Sequence, residues 1–521
     1  MELSPGLTYL LGVFPRFAIP SIITYLSLYL LEKREISVGI PSWAAVILAV
    51  FARPIILVFG YYHSIWADKR AAAANNAVLA PPLPKSQQAI ISELGWNTRH
   101  GHPGQVMHQW TQEFGNVVRF NILTSSAMIT VEPEHVKAIL ATQFDSFEKG
   151  PVFFSQAHSL LGEGVFNSDG EMWKFHRAMT RPFFTRERIT DFEIYDRNWN
   201  ISLQIAKERL AEGFSLDIQD LISRFTLDSA TEFLFGGEVG SLSAGIPYPP
   251  SHKERNSSLF YNHPSTSFIN AFTESLSVVL ERTNLGKEWP LWELKSDKIT
   301  PLRRIIDGFT DPLLKKLSTP KARSFRLLLR FVTDTGLNLD PKILKDELIN
   351  LLVAGRDTTM CLLTYAVYML AEHPDIEKRL REEIFTKVGP TEAPKYDQMR
   401  EMRYVKAFLN ALEFDPDRFL DERVQKYLVP NPFIFCPFNA GPRICLGQQF
   451  AYNEATFYLV RLLQNFTEFT LDNSINVARP AEWNSGDSRM AKETIHPTAH
   501  LTMFVKDGLW IKMKELAISE V

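Results

Sequence analysis

The sequence predicts a mainly α-helical chain with small β-sheets, preceded by one or two N-terminal membrane helices. Residues 1–62 are almost entirely apolar, whereas from about residue 86 onward helical patterns dominate and strand-like runs such as "VVRFNI" are few. The 521 residues are 45% hydrophobic and 22% charged, which suits one large globular unit or a few domains. The net charge of −3 and the lack of a basic stripe argue against a nucleic-acid partner.

The N-terminal segment contains two apolar stretches, Leu7–Leu31 and Val38–Tyr62. Each is long enough for a membrane-spanning helix, which needs about 20 mostly apolar residues. Each also carries one arginine, Arg16 and Arg53, and a guanidinium is costly in the hydrocarbon region. We therefore predict a membrane anchor over residues 1–62, and both one span and two spans agree with the sequence.

A linker is expected after the anchor. The stretch "LAPPLPK", Leu79–Lys85, is typical of a stiff proline-rich spacer. A cleaved signal peptide is disfavoured, because the extreme N-terminus contains Glu2 and no basic region. We predict a linker over residues 63–85 and a soluble domain over residues 86–521.

Within the soluble domain, the pattern predicts two short strands, residues 117–122 and Ala127–Pro133, and a helix with Pro133 at its first position. Residues 199–237 are strongly helical. Residues 239–266 are rich in Gly, Ser, Pro and Asn and predict a loop.

One long helix is predicted from a cap at Asp340 to about His373. It is apolar nearly all round, so we expect it to cross the core. Its centre nevertheless holds "AGRDTT", residues Ala354–Thr359, and buried polar groups are costly unless they are bonded or in use. We expect the Thr358 hydroxyl to bond the Ala354 carbonyl, and Ala354 and Gly355 leave room for a flat ligand. The alternative is a polar turn that faces solvent on a partly exposed helix.

Cys445 lies in the glycine-rich turn of "PFNAGPRICLGQQF", just before another helical pattern. With three cysteines in the chain, no disulfide framework is expected. The helix dipole and Arg443 both favour the thiolate of Cys445, which makes it a good soft metal ligand. The alternative is a nucleophile, but no histidine lies close in sequence to act as its base. Cys361 and Cys436 are interpreted as ordinary core residues.

These segments resemble the motifs of a known family. "FNAGPRICLG", Phe438–Gly447, resembles the haem-binding loop of cytochrome P450s, and "AGRDTT" resembles the oxygen-activation motif on their central helix. "WKFHR", Trp173–Arg177, resembles the motif that contacts a haem propionate, and "FDPDRF", Phe414–Phe419, resembles the segment before the haem loop. The motifs occur in the family's order, and the resemblance covers roughly residues 86–515.

The resemblance implies a cytochrome P450 fold that binds haem b, with Cys445 as the iron ligand and Asp357 and Thr358 as catalytic residues that relay protons to bound oxygen. The cofactor-binding residues that it implies are Trp173, Arg177, Ala354, Gly355, Phe438, Gly441, Arg443 and Gly447. It also implies a monooxygenase that inserts one atom of O2 into a small apolar substrate. The electrons would come from an NADPH–cytochrome P450 reductase, and the anchor would lie in the endoplasmic-reticulum membrane with the catalytic domain in the cytosol.

Two stretches, "FTLDSATEFLFG" and "ILKDELINLLVAGRDTT", resemble the fungal members of this family that hydroxylate alkanes and fatty acids. An apolar pocket would suit such substrates. The 37 phenylalanines do not decide this, because phenylalanine-rich cores are common without any ligand.

The sequence departs from the family at one place. No glutamate in the chain has an arginine three residues after it, so the family's Glu-x-x-Arg helix is missing. Only Ala411–Glu413 separate the approach to that helix, Tyr396–Asn410, from "FDPDRF". We therefore predict an internal deletion at Asn410/Ala411 and an incomplete fold. Three residues span at most about 10 Å, so Asn410 and Phe414 should lie close together.

The deletion has expected structural consequences. Arg418 would lose its usual partners. The stretch "DQMR", Asp397–Arg400, falls too early in the sequence to replace the missing motif. The main sheet would expose edges. Two functions follow from this. One is an active haem-thiolate monooxygenase. The other is a P450-derived membrane protein, from a splice variant or a gene-model artefact, that binds haem poorly or not at all.

Overall fold

The computed structural model describes residues 3–34, 40–122, 125–237, 239–317, 340–410, 415–484 and 489–516, and these residues are mainly helical with small β-sheets, as predicted. Within these ranges the α-helices, labelled α1 to α20 in chain order, are Pro5–Lys33, Ser42–Ala74, Gln87–His100, Gln105–Phe114, Pro133–Lys137, Gly150–Leu161, Gly170–Thr180, Arg186–Ile189, Glu193–Ala211, Ile218–Phe235, Ser258–Asn262, Pro264–Asn284, Ile299–Leu317, Pro341–Glu372, Pro374–Lys387, Tyr396–Glu401, Arg403–Leu409, Asp421–Arg423, Gln448–Asn465 and Arg489–Lys492.

The strands of the same ranges, labelled β1 to β7, are Val117–Ile122, Ser125–Thr130, Leu216–Asp217, Phe466–Leu471, Pro497–Ala499, Met503–Val505 and Trp510–Glu515. They form antiparallel sheets with the orders β1–β2, β3–β7–β4 and β5–β6. The predicted strand at 117–122 is confirmed as β1, and the predicted helix at Pro133 is confirmed as α5. The strand predicted over Ala127–Pro133 is present as β2, but it begins earlier, at Ser125, and ends at Thr130. The predicted loop over residues 239–266 contains the short helix α11 and the start of α12.

The chain forms two compact units. The first comprises Met1–Ile91, Trp110–Thr130 and Leu285–Lys298, and the second comprises Ser92–Gln109, Val131–Asn284 and Ile299–Val521. The first unit is larger than the predicted anchor and linker, because it also includes the β1–β2 hairpin and the segment after α12.

In the first unit, α1 and α2 have the length and composition of membrane spans, with mean hydropathies of 1.4 and 2.2. Almost all their apolar side chains are exposed, which is expected of surfaces that face lipid rather than water. The guanidinium of Arg53 on α2 lies 5.4 Å from the centre of the Phe17 ring on α1, so a cation–π contact accompanies the charge. Since α2 continues to Ala74, it runs well past the predicted end of the anchor at residue 62.

The predicted proline linker is held against strand β1. The Arg119 amide donates to the Pro81 carbonyl at 2.8 Å, and the Leu83 amide donates to the Arg119 carbonyl at 2.7 Å. The segment is therefore an extended arm of the first unit.

The second unit is built around α14. Asp340 caps this helix by accepting from the Lys342 amide at 2.9 Å, and the helix ends at Glu372, so its predicted bounds are confirmed. Most of its middle is fully buried against α10 and α19, whose own apolar side chains are also buried. As predicted, α14 crosses the core.

The predicted deletion lies at the end of α17, whose last helical residue is Leu409. The junction with Ala411 and the closeness of Asn410 to Phe414 lie outside the described residues. From Asp415 onward the chain is held by ion pairs at the surface, with Arg379 donating to both carboxylate oxygens of Asp417 at 2.9 and 3.0 Å. "DQMR" forms part of the short helix α16, where the Arg400 guanidinium lies over the Tyr396 ring.

Candidate active site

The loop that carries Cys445 is a closed turn. The Cys445 amide donates to the Phe438 carbonyl at 2.9 Å, and Asn439 and Gly441 both have φ of 62°. A Cβ on Gly441 would fall 1.8 Å from the carbonyl oxygen of Leu140. Only glycine fits there, since the position combines a left-handed backbone with a backbone contact. Gly441 therefore lets the loop pack against the Leu140 backbone, on a side that does not line the cavity.

Cys445 lies in the wall of a cavity of about 350 Å³, the cofactor cavity. Gly447 caps the helix α19 that follows, as the pattern predicted. The pKa of the Cys445 thiol lies above its usual value, because loss of water around the sulfur outweighs the lowering by the Gly447 amide and the charge of Arg177. The expectation that the surroundings favour the thiolate is therefore wrong for the cavity as it stands. The expectation that Arg443 supplies the nearby positive charge is wrong, because Arg443 turns to the Asp169 carboxylate at 2.5 Å and to the Ser168 carbonyl.

One end of the cofactor cavity is cationic. Arg177 donates to the Ile444 carbonyl at 2.6 Å, and the Arg443 guanidinium lies 4.6 Å from the centre of the buried Trp173 ring. Lys149 lines the same cavity and donates to the Phe166 carbonyl at 2.6 Å.

The charges of this cluster do not balance. Asp169 is the carboxylate beside it, and it also accepts from the amides of Lys149 and Gly150 at 3.2 and 2.9 Å. Loss of water lowers the pKa of Arg177 and Arg443, and burial together with the Arg443 charge lowers the pKa of Lys149 to about 8. Three cations against one carboxylate make an end that suits an anionic ligand.

The opposite wall is the middle of α14, where Ala354, Gly355 and Thr358 line the cavity. The Thr358 hydroxyl donates to the Ala354 carbonyl at 2.6 Å, as predicted. A Cβ on Gly355 would meet the Ala230 side chain of α10 at 3.4 Å. This wall is therefore a smooth helix surface with one exposed hydroxyl.

Asp357 faces away from the cavity. It is fully buried, and its Oδ1 accepts from Arg356 at 2.6 Å, while Arg356 also donates to Ser223 on α10 at 2.6 Å. Within the described part of the chain, Asp357 Oδ2 has no hydrogen-bond partner. The alternative of a solvent-facing polar turn is wrong, because Arg356 and Asp357 are buried and Thr358 faces the cavity.

Glu454 on α19 is a residue that the sequence interpretation missed. Its carboxyl is fully buried, and burial raises its pKa well above the usual value, while the Thr359 hydroxyl lowers it. The Glu454 carboxyl therefore lies buried between α19 and α14. The signal was a charged residue within the apolar stripe of α19, one position before Ala455.

A second cavity, of about 300 Å³, adjoins the first and reaches the end of α17; we call it the junction cavity. It is mostly apolar, and its lining includes Leu409, Asn410, Phe435 and Tyr452. The two cavities share five lining residues, which are Thr358, Thr359, Pro437, Phe438 and Ala451.

The cofactor cavity fits the predicted haem. It has a thiol in one wall, a smooth helix in the other and a cationic end for carboxylates. Nine of the eleven predicted site residues line it, namely Trp173, Arg177, Ala354, Gly355, Thr358, Phe438, Arg443, Cys445 and Gly447. The two that do not are Asp357, behind α14, and Gly441, behind the loop.

Comparison with known proteins agrees with this geometry. The cytochrome P450 family model matches residues 81–410 and 406–481. The chain belongs to the cytochrome P450 family. Its relatives include cytochrome P450 52A5 of Candida maltosa, 31% identical over 76% of this chain and 82% of the relative. Cytochrome P450 52A6 of Candida tropicalis is 30% identical over 74% and 81%. P450s carry haem iron as their cofactor.

The P450 match is interrupted where the deletion was predicted. Its two segments meet at residues 406–410, the end of α17. The alignment with cytochrome P450 52A5 spans 467 positions but covers only 76% of the 521 residues here, or about 396, so about 70 positions have no counterpart in this chain. Both observations agree with a shortened P450.

Proposed function

We propose that this chain is a membrane-anchored haem-thiolate monooxygenase that inserts one oxygen atom of O2 into an alkane or fatty acid. The observation that carries the proposal is the cofactor cavity, with Cys445 in one wall and the surface formed by Ala354, Gly355 and Thr358 in the other. No other class of function that we considered needs a thiol, a cationic end and an exposed helix hydroxyl in one cavity.

The chain's own residues would hold the cofactor as follows. Cys445 would ligate the iron through its sulfur, and Arg177, Arg443, Lys149 and the Trp173 indole would bind the propionates. Ala354 and Gly355 would admit the flat ring because they carry little or no side chain. When bound, thiolate-ligated haem supplies dioxygen activation, because the thiolate donates electron density that favours O–O cleavage.

Thr358 and Asp357 are the proposed proton relay. Thr358 presents its hydroxyl to the cavity while its proton is shared with the Ala354 carbonyl, so the oxygen stays free to accept a second hydrogen bond. Asp357 lies next in the chain but is held by Arg356, so it would pass a proton only after this ion pair opens. Apolar residues such as Phe233 and Leu234 line the rest of the cavity and would exclude water.

The proposed substrate class rests on the apolar lining and on the sequence resemblance to fungal alkane and fatty-acid hydroxylases. A long alkyl chain gains free energy by leaving water for such a cavity, at about 25 cal/mol per Å² of buried apolar surface. The membrane is a reservoir for such substrates. We propose the endoplasmic reticulum as the membrane and a flavoprotein reductase as the source of electrons.

The test uses the full chain in detergent with a P450 reductase, NADPH, a fatty acid and dioxygen labelled with oxygen-18. We expect a hydroxylated product that carries one labelled oxygen atom. Cys445→Ala should abolish product, and Cys436→Ala should retain it, because Cys436 lies outside the cofactor cavity. Product from Cys445→Ala, or its loss in both variants, would refute Cys445 as the ligand.

A second candidate function follows from the interrupted family match. In this candidate the shortened chain does not retain haem and acts, if at all, as a membrane-bound interaction protein. The observation that favours it is the junction cavity beside the Cys445 loop, at the point where the family match breaks. Folded protein without haem or product would support this candidate.

A further inference from the structure

The residue just before the junction is bonded to the helix that follows Cys445. Asn410 Oδ1 accepts from the Tyr452 hydroxyl of α19 at 2.6 Å. Asn410 itself is fixed by the last turn of α17. Its side-chain Nδ2 donates to the Lys406 carbonyl at 2.7 Å, and its backbone N–H donates to the Ala407 carbonyl at 3.2 Å. The bond therefore joins the end of α17 to α19 at the wall of the junction cavity.

Tyr452 also touches the loop that carries Cys445. Its ring centre lies 4.9 Å from that of Phe438, and the Phe438 carbonyl accepts the Cys445 amide at 2.9 Å. On the other side, Lys406 Nζ lies 5.6 Å from the centre of the Tyr452 ring. Tyr452 thus stands between α17 and the residue that anchors the backbone of Cys445.

The hydrogen bond between Tyr452 and Asn410 matters because the Tyr452 ring is loosely packed. The junction cavity of about 300 Å³ leaves Phe438 and Tyr452 without close packing on that side. Burial raises the pKa of the Tyr452 hydroxyl and the bond to Asn410 lowers it, which agrees with a hydrogen bond in a partly dry site. A directional bond can fix the ring where packing does not.

We propose that Tyr452 and Asn410 form a positioning pair that braces the Cys445 loop in this shortened chain. The inference rests on the proposed function, since it takes Cys445 as the iron ligand. Without the bond, the Tyr452 ring can turn into the junction cavity. Phe438 then loses its support, and the Cys445 sulfur is no longer held in one place.

The first measurement is the spectrum of the reduced, carbon-monoxide-treated chain. The quantity measured is the ratio of haem with the red-shifted Soret band of a thiolate ligand to haem without it. We expect this ratio to fall about fivefold in Tyr452→Phe and in Asn410→Ala. Fivefold corresponds to about 1 kcal/mol, the typical net contribution of one hydrogen bond. The double variant should lose no more than Asn410→Ala alone, because the bond to Tyr452 is already absent in that variant.

The matched control is Tyr458→Phe. Tyr458 is on the same helix, its ring is fully buried, and its hydroxyl has no hydrogen-bond partner in the described ranges. This variant should keep the spectrum of the unmodified chain. An equal loss in Tyr458→Phe, or no loss in Tyr452→Phe, would overturn the brace.

A second measurement separates failure of the brace from failure of the proposed function. If the unmodified chain binds no haem, the proposed function fails, and the alkylation rate of the Cys445 thiol, which lies in the wall of the cofactor cavity, tests the brace instead. Trypsin cuts after Arg443 and so places Cys436 and Cys445 on different peptides for mass spectrometry. Tyr452→Phe should raise the Cys445 rate about fivefold while the Cys436 rate and the Tyr458→Phe control stay unchanged. An unchanged Cys445 rate would overturn the brace.

Discussion

The Cys445 loop has two neighbouring regions that differ in how they are built. On the side of the cofactor cavity, Trp173 is buried, Arg443 and Asp169 pair closely, and Gly441 fits against Leu140 with no room for a Cβ. On the side of α17, the loop meets the junction cavity, and the chain beyond it is held by exposed ion pairs such as Arg403–Asp421, whose side chains are 69% and 72% exposed.

This difference agrees with the deletion predicted at Asn410/Ala411. The residues that would contact haem come from both sides of the predicted deletion and line one cavity, and α14 packs against α19. On the side of α17 the described residues leave the junction cavity beside the loop. The exposed ion pairs there add little support, since an exposed pair contributes about 0–1 kcal/mol. The loop is therefore packed more closely on the side of the cofactor cavity than on the side of α17.

The largest effect is expected on the cofactor side, from Gly441→Ala. The added methyl group would collide with the Leu140 carbonyl in a backbone with φ of +62°. We expect a loss of stability of about 2 kcal/mol or more and at least a tenfold loss of bound haem. Thermal unfolding and haem absorbance of the purified chain measure both quantities.

The control for this variant is Gly237→Ala, where a Cβ meets no atom within 4 Å. It should change neither stability nor haem content by a measurable amount. If Gly441→Ala behaves like this control, the loop is not held as tightly as its contacts indicate.

A smaller effect is expected from Lys149→Met at the cationic end. The pKa of Lys149 is lowered to about 8, and it should rise when an anionic propionate binds, so binding takes up a proton above that pH. Haem affinity should therefore be full below about pH 8 and fall as the pH rises from there. Lys149→Met should lower affinity several-fold at pH 7 and flatten the pH profile. Equal profiles for the variant and the unmodified chain would exclude Lys149 from the site.

The smallest effect is expected on the junction side, from Arg379→Gln. This change breaks the ion pair in which Arg379 donates two hydrogen bonds to Asp417. Both side chains of the pair are about half exposed. Stability should fall by about 0.5 kcal/mol at low ionic strength and not at all in 1 M salt. A salt-insensitive loss above about 2 kcal/mol would mean that this pair supports the core.

Most of the fold and of the cofactor side could be predicted, because the signals are local. The cap at Asp340, the Thr358–Ala354 bond and the helix after Cys445 follow from neighbouring residues. The place of Lys149 in the cavity wall could not be predicted from neighbouring residues. It depends on a tertiary contact, in which the Gly150 backbone amide donates to the Asp169 carboxylate.

The partners of Arg443 and Asn410 were also beyond prediction. Arg443 is bonded to Asp169, 274 residues away in the sequence, and Asn410 is bonded to Tyr452 across the junction. Such contacts depend on tertiary packing. The predicted deletion, by contrast, rests on a motif that the sequence lacks, and the family match is interrupted at the same residues.

The most direct test is the spectrum of the unmodified chain, expressed in full, reduced and exposed to carbon monoxide. We predict the strongly red-shifted Soret band of a thiolate-ligated haem in most of the folded molecules, because Cys445 and eight other predicted site residues line one cavity. Folded, monodisperse protein that lacks this band after haem is supplied would contradict the assignment of the cavity as a working haem site.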